Sequence, residues 1–352
     1  MTKGGVVMHI PVRSLAIGEA ESEQLEMNLW RDRYVQAALH TNGRTTPVKI
    51  RYRGGHTRGY PKRSYEVVRK GQTFHYNAEF DDPSMIRNAL SFWFLERLGV
   101  PSPRTKHVLL VRNGISLGVY LEIEAVERGF FRRRGIGARS LFYAVNNRAD
   151  FGVRDSASQL SGYEYRFGEK DEKARLASFI RGIHRTPESR LAAYLDRNLD
   201  VDNYLKWLAG AVLTGNFDGF EQNYSLYRHH ASGKWRIVPW DYEGTWGRNC
   251  YGRAVESDLV DIAGYNHLTE KVLKHRPYML RYKRILRKAL DETFTEKTIM
   301  RAAAEMHGSI SPYVRRDRLQ QWPYEQFLGE PNVIRNYIRE RRAIVASALS
   351  RL

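Results

Sequence analysis

The sequence predicts an α+β fold in two lobes: a small, mainly antiparallel β lobe with one helix over residues 1–127, then a mainly helical lobe over 128–352. Three observations carry this expectation. Residues 47–127 read hairpin, helix, hairpin. From about residue 171 apolar side chains recur at helical spacing. Within that half a single strand–turn–strand, residues 218–241, interrupts the helices. At 352 residues, 42% of them hydrophobic and 12% aromatic, the chain can bury two cores.

The elements follow in order. Residues 5–12 and 26–40 read as strands or short mixed segments. From Val48, VKIRYR alternates, Gly54, Gly55 and Gly59 punctuate a turn, and RSYEVVR alternates again, giving a hairpin with a glycine-rich, basic tip. Asp82 suits an N-cap and Pro83 the first helical position, so MIRNALSFWFLERL reads as a helix stopped by Gly99. On it, Phe92, Trp93 and Phe94 read as core, and Arg87 and Glu96 as surface charges. KHVLLVR and LGVYLEIEAV form a second hairpin about Asn113-Gly114. FFRRRGIGARS then reads as a basic loop, and LFYAVNNRADFGVRDSAS as irregular with a surface insertion at its middle. EKARLASFIRGIH, PESRLAAYLD and VDNYLKWLAGAVLTGN are helical, as are 268–290, 295–307 and 331–351.

Composition narrows the function. Lys and Arg number 57 against 39 Asp and Glu, a net charge of +18, so the chain's partners include something acidic, such as nucleotide phosphates. No helix-turn-helix, ribonucleoprotein or zinc-finger signature accompanies that charge, which argues against nucleic acid as the partner. Cys250 is the only cysteine, excluding a disulfide within one chain and a cysteine zinc site. No apolar run approaches eighteen residues, and the N-terminus lacks the apolar core and cleavage site of a secretory leader. The expectation is a soluble, intracellular protein without a membrane partner.

The chemistry concentrates in DGFEQNYSLYRHHASGKWRIVPWD, Asp218 to Asp241. Asp218 and Asn223 stand five positions apart, and the hairpin turning at Ser232-Gly233 returns the chain to Asp241. Protein kinases present a catalytic base and two Mg²⁺ ligands in this pattern. Asp218 is the candidate base; Asn223 and Asp241, as hard oxygen donors, are candidate Mg²⁺ ligands. Each aspartate taken alone also reads as an ordinary turn residue. Phosphates call for cations, and the glycine-rich tip offers Arg53, Arg58, Lys62 and Arg63, although neither a Walker A loop nor GxGxxG occurs there. Glu124, with Glu127 after it, lies where a kinase would place its adenine-contacting hinge.

The chain resembles the spore coat kinases typified by CotH, atypical members of the protein-kinase-like group. The matching segments are RGGHTRGYPKRSYEV, DDPSMIRNALSFWFLERLGVPSPRTKHVLLVRNGISLGVYLEIEAVERGFF, GNFDGFEQNYSLYR, KWRIVPWDYEGTWG, ISPYVRRD and the terminal YIRERRAIVASAL, spanning about residues 47–347. The resemblance implies an atypical protein-kinase-like two-lobe fold and an ATP- and Mg²⁺-dependent kinase. Asp218 would be essential for catalysis, Asp241 would bind metal, and Lys62 within Pro61-Lys62-Arg63 would contact phosphate. It further implies Ser-rich spore coat proteins as substrates and a cytoplasmic, mother-cell location at the coat. Ordinary kinase motifs are missing: no His-Arg precedes Asp218, no Phe-Gly follows Asp241 and there is no VAIK strand. The alternative is a catalytically silent structural component of the coat with the same fold.

Overall fold

The computed structural model describes residues 9–351, so the part of the first expected strand before His9 lies outside the described residues. The chain forms two compact units. One takes in the chain up to Ala89, Arg104–Ala125 and Arg301–Pro331; the other comprises Leu90–Pro103, Val126–Met300 and Asn332–Leu352.

The first unit is a closed barrel of seven strands: β1 (Val12–Ala16), β2 (Val35–Thr41), β3 (Arg44–Arg53), β4 (Ser64–Arg69), β5 (Gln72–Asn77), β6 (Thr105–Arg112) and β7 (Ile115–Glu124). Their order is β1-β2-β3-β4-β5-β7-β6, closed by a parallel β1–β6 pair whose register sets Val12 against Leu109. Closure leaves no unpaired edge in the sheet. Both expected hairpins are present within it, Val48 opposite Arg69 in one and Arg112 opposite Ile115 in the other. Leu15, Val48, Ile50, Val67, Val108, Leu110 and Tyr120 fill the interior. Helix α1 (Glu19–Met27) contributes Leu25 to that core. Its sequence EAESEQLEM has one buried apolar position, which is why no helical period was visible there.

Helix α2 (Arg87–Arg97) starts later than Asp82-Pro83 suggested. The Asp82 carboxylate accepts from Ser84 N at 2.8 Å and Arg87 N at 2.9 Å, holding a turn before the first helical residue. Arg87 is no surface charge. Its guanidinium is fully buried between Asp82, 2.6 Å, and Glu330, 2.7 Å. Phe92 and Phe94 are core as expected, and Glu96 is exposed.

The second unit holds an antiparallel sheet rather than a lone hairpin: β8 (Ala138–Ala144), β9 (Tyr163–Phe167), β10 (Tyr224–His229) and β11 (Trp235–Pro239), ordered β11-β10-β8-β9. Two expectations need correcting here. The basic segment after Glu127 is not a loop but helix α3 (Arg128–Arg133), whose Phe130 and Phe131 pack on Leu141, Tyr227 and Val238. The supposed surface insertion is core in part: Val145 and Val153 are exposed, but Phe151 is fully buried and stacks on Tyr224 at 5.8 Å, and Tyr163 donates to Ala149 O at 3.1 Å. Around the sheet run α4 (Glu172–Arg185), α5 (Glu188–Asn198), α6 (Val201–Thr214), α7 (His267–Leu273) and α8 (Arg276–Lys288). Helices α9 (Glu296–Val314) and α10 (Tyr324–Arg351) complete the chain. The result is a mixed α+β protein, as expected. None of the helices is long and apolar enough to cross a membrane, among the described residues.

Candidate active site

Helix α6 delivers the candidate base. It begins at Asp200, whose side chain accepts from Asn203 N at 3.1 Å, and it is buried along nearly its whole length. Gly215 ends it in the left-handed conformation, φ 68°, and a Cβ there would fall 2.5 Å from the Tyr337 hydroxyl, so glycine is required. The chain then makes a single 3₁₀ turn, Phe217–Gly219, that presents Asp218 half-buried. The turn is fastened from the α7 side. The Tyr265 hydroxyl donates to Phe217 O, and Asn266 Nδ2 donates to Phe220 O at 2.9 Å.

Strand pairing brings the other two residues together. Tyr224 lies opposite Pro239 in the β10–β11 register, and Trp240 N donates to Asn223 O at 3.2 Å, so Asp241 is the residue after the one paired with Asn223. Asn223 N also donates to Ala144 O at 3.1 Å, tying the same residue to β8. Asn223 and Asp241 both adopt left-handed backbone, φ 58° and 56°. Asn and Asp tolerate this conformation best among residues with side chains, and each ends its strand as the chain turns away.

The carboxylate of Asp218 is held at both oxygens by side-chain amides. Gln222 Nε2 donates to Oδ1 at 2.7 Å and Asn223 Nδ2 to Oδ2 at 2.8 Å. With its amine turned to Asp218, Asn223 keeps its amide oxygen for another partner. Glu243 adds negative charge: burial first, then Asp218, Glu243 and Asp241, push the Cys250 thiol up to about 11. Burial, followed by Glu221 and Asp218, likewise raises the Tyr265 phenol.

The turn carrying Asp241 and Glu243 is pinned by α2 and α6. Trp246 Nε1 donates to Ser91 Oγ at 2.8 Å, Thr245 Oγ1 to Tyr242 O at 2.6 Å, and Trp246 N to Thr214 O at 2.9 Å. Phe92 packs against Trp240 and Tyr242, and Phe94 and Phe294 against Trp246.

No three of His, Cys, Asp and Glu converge as a metal cluster among the described residues. The donors of this segment are instead carboxylate and amide oxygens, and that chemistry fits Mg²⁺, which takes one or two carboxylates and keeps several waters. Asn223 Oδ1 and Asp241 would hold it.

The expected nucleotide contacts are all engaged within the barrel unit. Arg53 donates to Asn77 Oδ1. Arg63 donates to Glu26 at 2.5 Å and lies over the Tyr52 ring at 5.0 Å. Glu124 is buried and accepts from Arg104 N at 3.1 Å. The glycine-rich tip is tied down as well, with Arg58 donating to Gly54 O at 2.7 Å and Asp32 at 2.6 Å.

Lys62 is held inside the barrel unit by a buried ion pair. Its side chain is 0% exposed and its ammonium donates to Asp317 Oδ2 and Val119 O, both at 2.7 Å. Asp317, 1% exposed, also accepts from Val119 N at 3.0 Å and Leu319 N at 3.0 Å. A Cβ on Gly118 would meet that carboxylate at 1.9 Å. The pattern is a closed internal ion pair, which sequence spacing could not show because its halves lie 255 residues apart. Gln222, Tyr265 and Asn266 were also missed, since an amide beside a catalytic-type Asp carries no motif of its own.

Comparison with known proteins adds a family. The family described as CotH kinase protein matches residues 50–345. Inner spore coat protein H of Bacillus subtilis (strain 168) is 34% identical over 355 aligned residues, 97% of this chain and 98% of that protein. The inner spore coat protein H-like protein of the same organism is 26% identical over 297, covering 83% and 87%. Among solved structures, the Helicobacter pylori proinflammatory kinase CtkA aligns at 13% identity and TM-score 0.34, covering 82% of this chain and 93% of its own. HipA in the Shewanella oneidensis MR-1 toxin–antitoxin–operator complex aligns at 12% and 0.31, covering 77% and 57%. Scores of that size leave these two structures without bearing on the present fold.

Proposed function

This chain belongs to the CotH kinase protein family, and from that premise we propose that it is an ATP- and Mg²⁺-dependent protein kinase transferring the γ-phosphate to Ser or Thr of spore coat proteins. The observation that carries the proposal is the Asp218 carboxylate. Two neutral amides orient it, and no cation pairs with it among the described residues, in a chain of net charge +18. An ion pair would quench its ability to accept a proton, whereas amides orient it and leave its charge in place.

Bound MgATP supplies the phosphoryl group and its metal neutralises the developing charge. The protein's part is placement. Asp218 accepts the proton of the acceptor hydroxyl as that oxygen bonds to phosphorus and ADP departs. Asn223 and Asp241 would hold the cation, and the Ser91–Trp246 hydrogen bond keeps the Asp241 turn in place. The names of the Bacillus subtilis relatives support a coat-associated role.

The test is phosphoryl transfer from labelled MgATP to a Ser-rich coat protein or to the chain itself. Transfer by the wild type, and a fall of at least about a thousandfold in Asp218→Asn and Asp241→Ala, is the expected outcome. Undiminished transfer by Asp241→Ala would sink the metal assignment. A wild type that binds no MgATP would make the chain a structural coat component instead.

A further inference from the structure

We propose that Gln222 is a positioning residue for Asp218, the second half of a two-amide clamp that fixes the carboxylate for proton acceptance. The proposal rests on the kinase reading for what Asp218 does; the clamp itself rests on geometry. A carboxylate on a short side chain has two rotations to fix, and a bond to one oxygen leaves the plane free to swing about it. Here Gln222 Nε2 reaches Oδ1 at 2.7 Å and Asn223 Nδ2 reaches Oδ2 at 2.8 Å, so both rotations are stopped.

The two donors are not equivalent. Asn223 is bound through its own N–H and C=O to β8 and to Trp240, and its amide oxygen is the candidate cation ligand. Among the described residues the Gln222 side chain makes one hydrogen bond, to Asp218. It lies four residues after the aspartate, and the turn between them is braced by Tyr265 and Asn266, so the loop backbone is held independently of the clamp. Removing the Gln222 amide therefore frees the carboxylate without removing the loop's supports or a cation ligand. Amides also do not titrate, so the clamp keeps Asp218 oriented without adding charge to the site.

Gln222→Met keeps the length of the side chain and removes both amide atoms. The expected result is a fall in kcat of about tenfold to a hundredfold, with the KM and the calorimetric Kd for MgATP within about twofold of wild type and an unchanged Tm. A crystal structure of Gln222→Met is expected to show the Asp218 carboxylate rotated from its wild-type position or in more than one rotamer. Wild-type kcat in this variant overturns the proposal. So does a joint loss of kcat, MgATP affinity and Tm, which marks a structural role. If the wild type itself transfers no phosphate, the kinase reading fails separately, and the crystal structure still decides the clamp: an Asp218 rotamer identical in Gln222→Met and wild type overturns it.

Discussion

Lys62 and Asp317 show how one pair of residues changes the meaning of a motif. An ammonium and a carboxylate sealed from water attract strongly, but each has lost its hydration, so their mutual presence is what makes either tolerable. Burial pulls the Lys62 pKa down, while the charge and hydrogen bond of Asp317, and then the charge of Glu79, pull it back only in part. Asp317→Ala is expected to destabilise the protein by about 3–5 kcal/mol, and the double variant Lys62→Met with Asp317→Leu to recover most of that loss, read from urea unfolding midpoints. Equal destabilisation by the single and double variants would show that the pair is not made. Arg341 solves the same problem without a carboxylate. Its buried guanidinium donates to Val212 O, Ser257 O and Val260 O at 3.0, 3.0 and 2.6 Å.

Between residue and molecule, the β10–β11 hairpin and the turn after it are the elements that assemble the candidate site. The hairpin needs only local information: alternation, a Ser-Gly turn and the antiparallel rule that its two open ends are neighbours. The turn's support is not local, because Ser91 on α2 is 155 residues from Trp246. Trp246→Phe keeps an aromatic ring against Phe94 and Phe294 but loses the indole N–H and part of the buried ring volume, leaving the Ser91 hydroxyl with Thr245. The expected cost is about 1–3 kcal/mol of stability by denaturant unfolding, with a larger proportional loss of phosphoryl transfer than of MgATP affinity. A variant as active as wild type would show that Asp241 does not depend on this fastening. The elements themselves were legible to the extent that each was amphipathic. Helices α2, α4 and α6 and both barrel hairpins announced themselves. Helix α1 did not, having one buried side chain, and neither did β8 and β9, whose partners in the sheet come from distant sequence.

At the scale of the whole molecule, the second unit ties its sheet to its helices through a buried charge. Glu172, the first residue of α4, accepts from Arg228 Nε on β10 at 2.8 Å and from Ser140 on β8 at 2.7 Å. Burial raises the Glu172 pKa, but the hydrogen bonds from Arg228 and Ser140 and the charge of Arg228 outweigh it, and the net value falls below the ordinary 4.5. A carboxylate depressed in the folded state stabilises above its unfolded pKa, and that stability disappears as pH falls through the folded value. Unfolding midpoints are therefore expected to drop as pH falls below about 4.5, and the drop to be shallower in Glu172→Gln. The same slope in both proteins would assign the acid sensitivity elsewhere. By itself the sequence determined the α+β class, the hairpins, the family and the Asp218–Asn223–Asp241 spacing, because each depends on residues close in the chain or on motif order. Only the tertiary structure decided that the first sheet closes into a barrel, that Lys62 faces Asp317, and that Gln222 grips Asp218. The first two are contacts between surfaces, and the free energy of burying a charge or closing a sheet depends on what lies opposite, which local spacing does not encode; the third is local, but an amide four residues from an aspartate carries no motif.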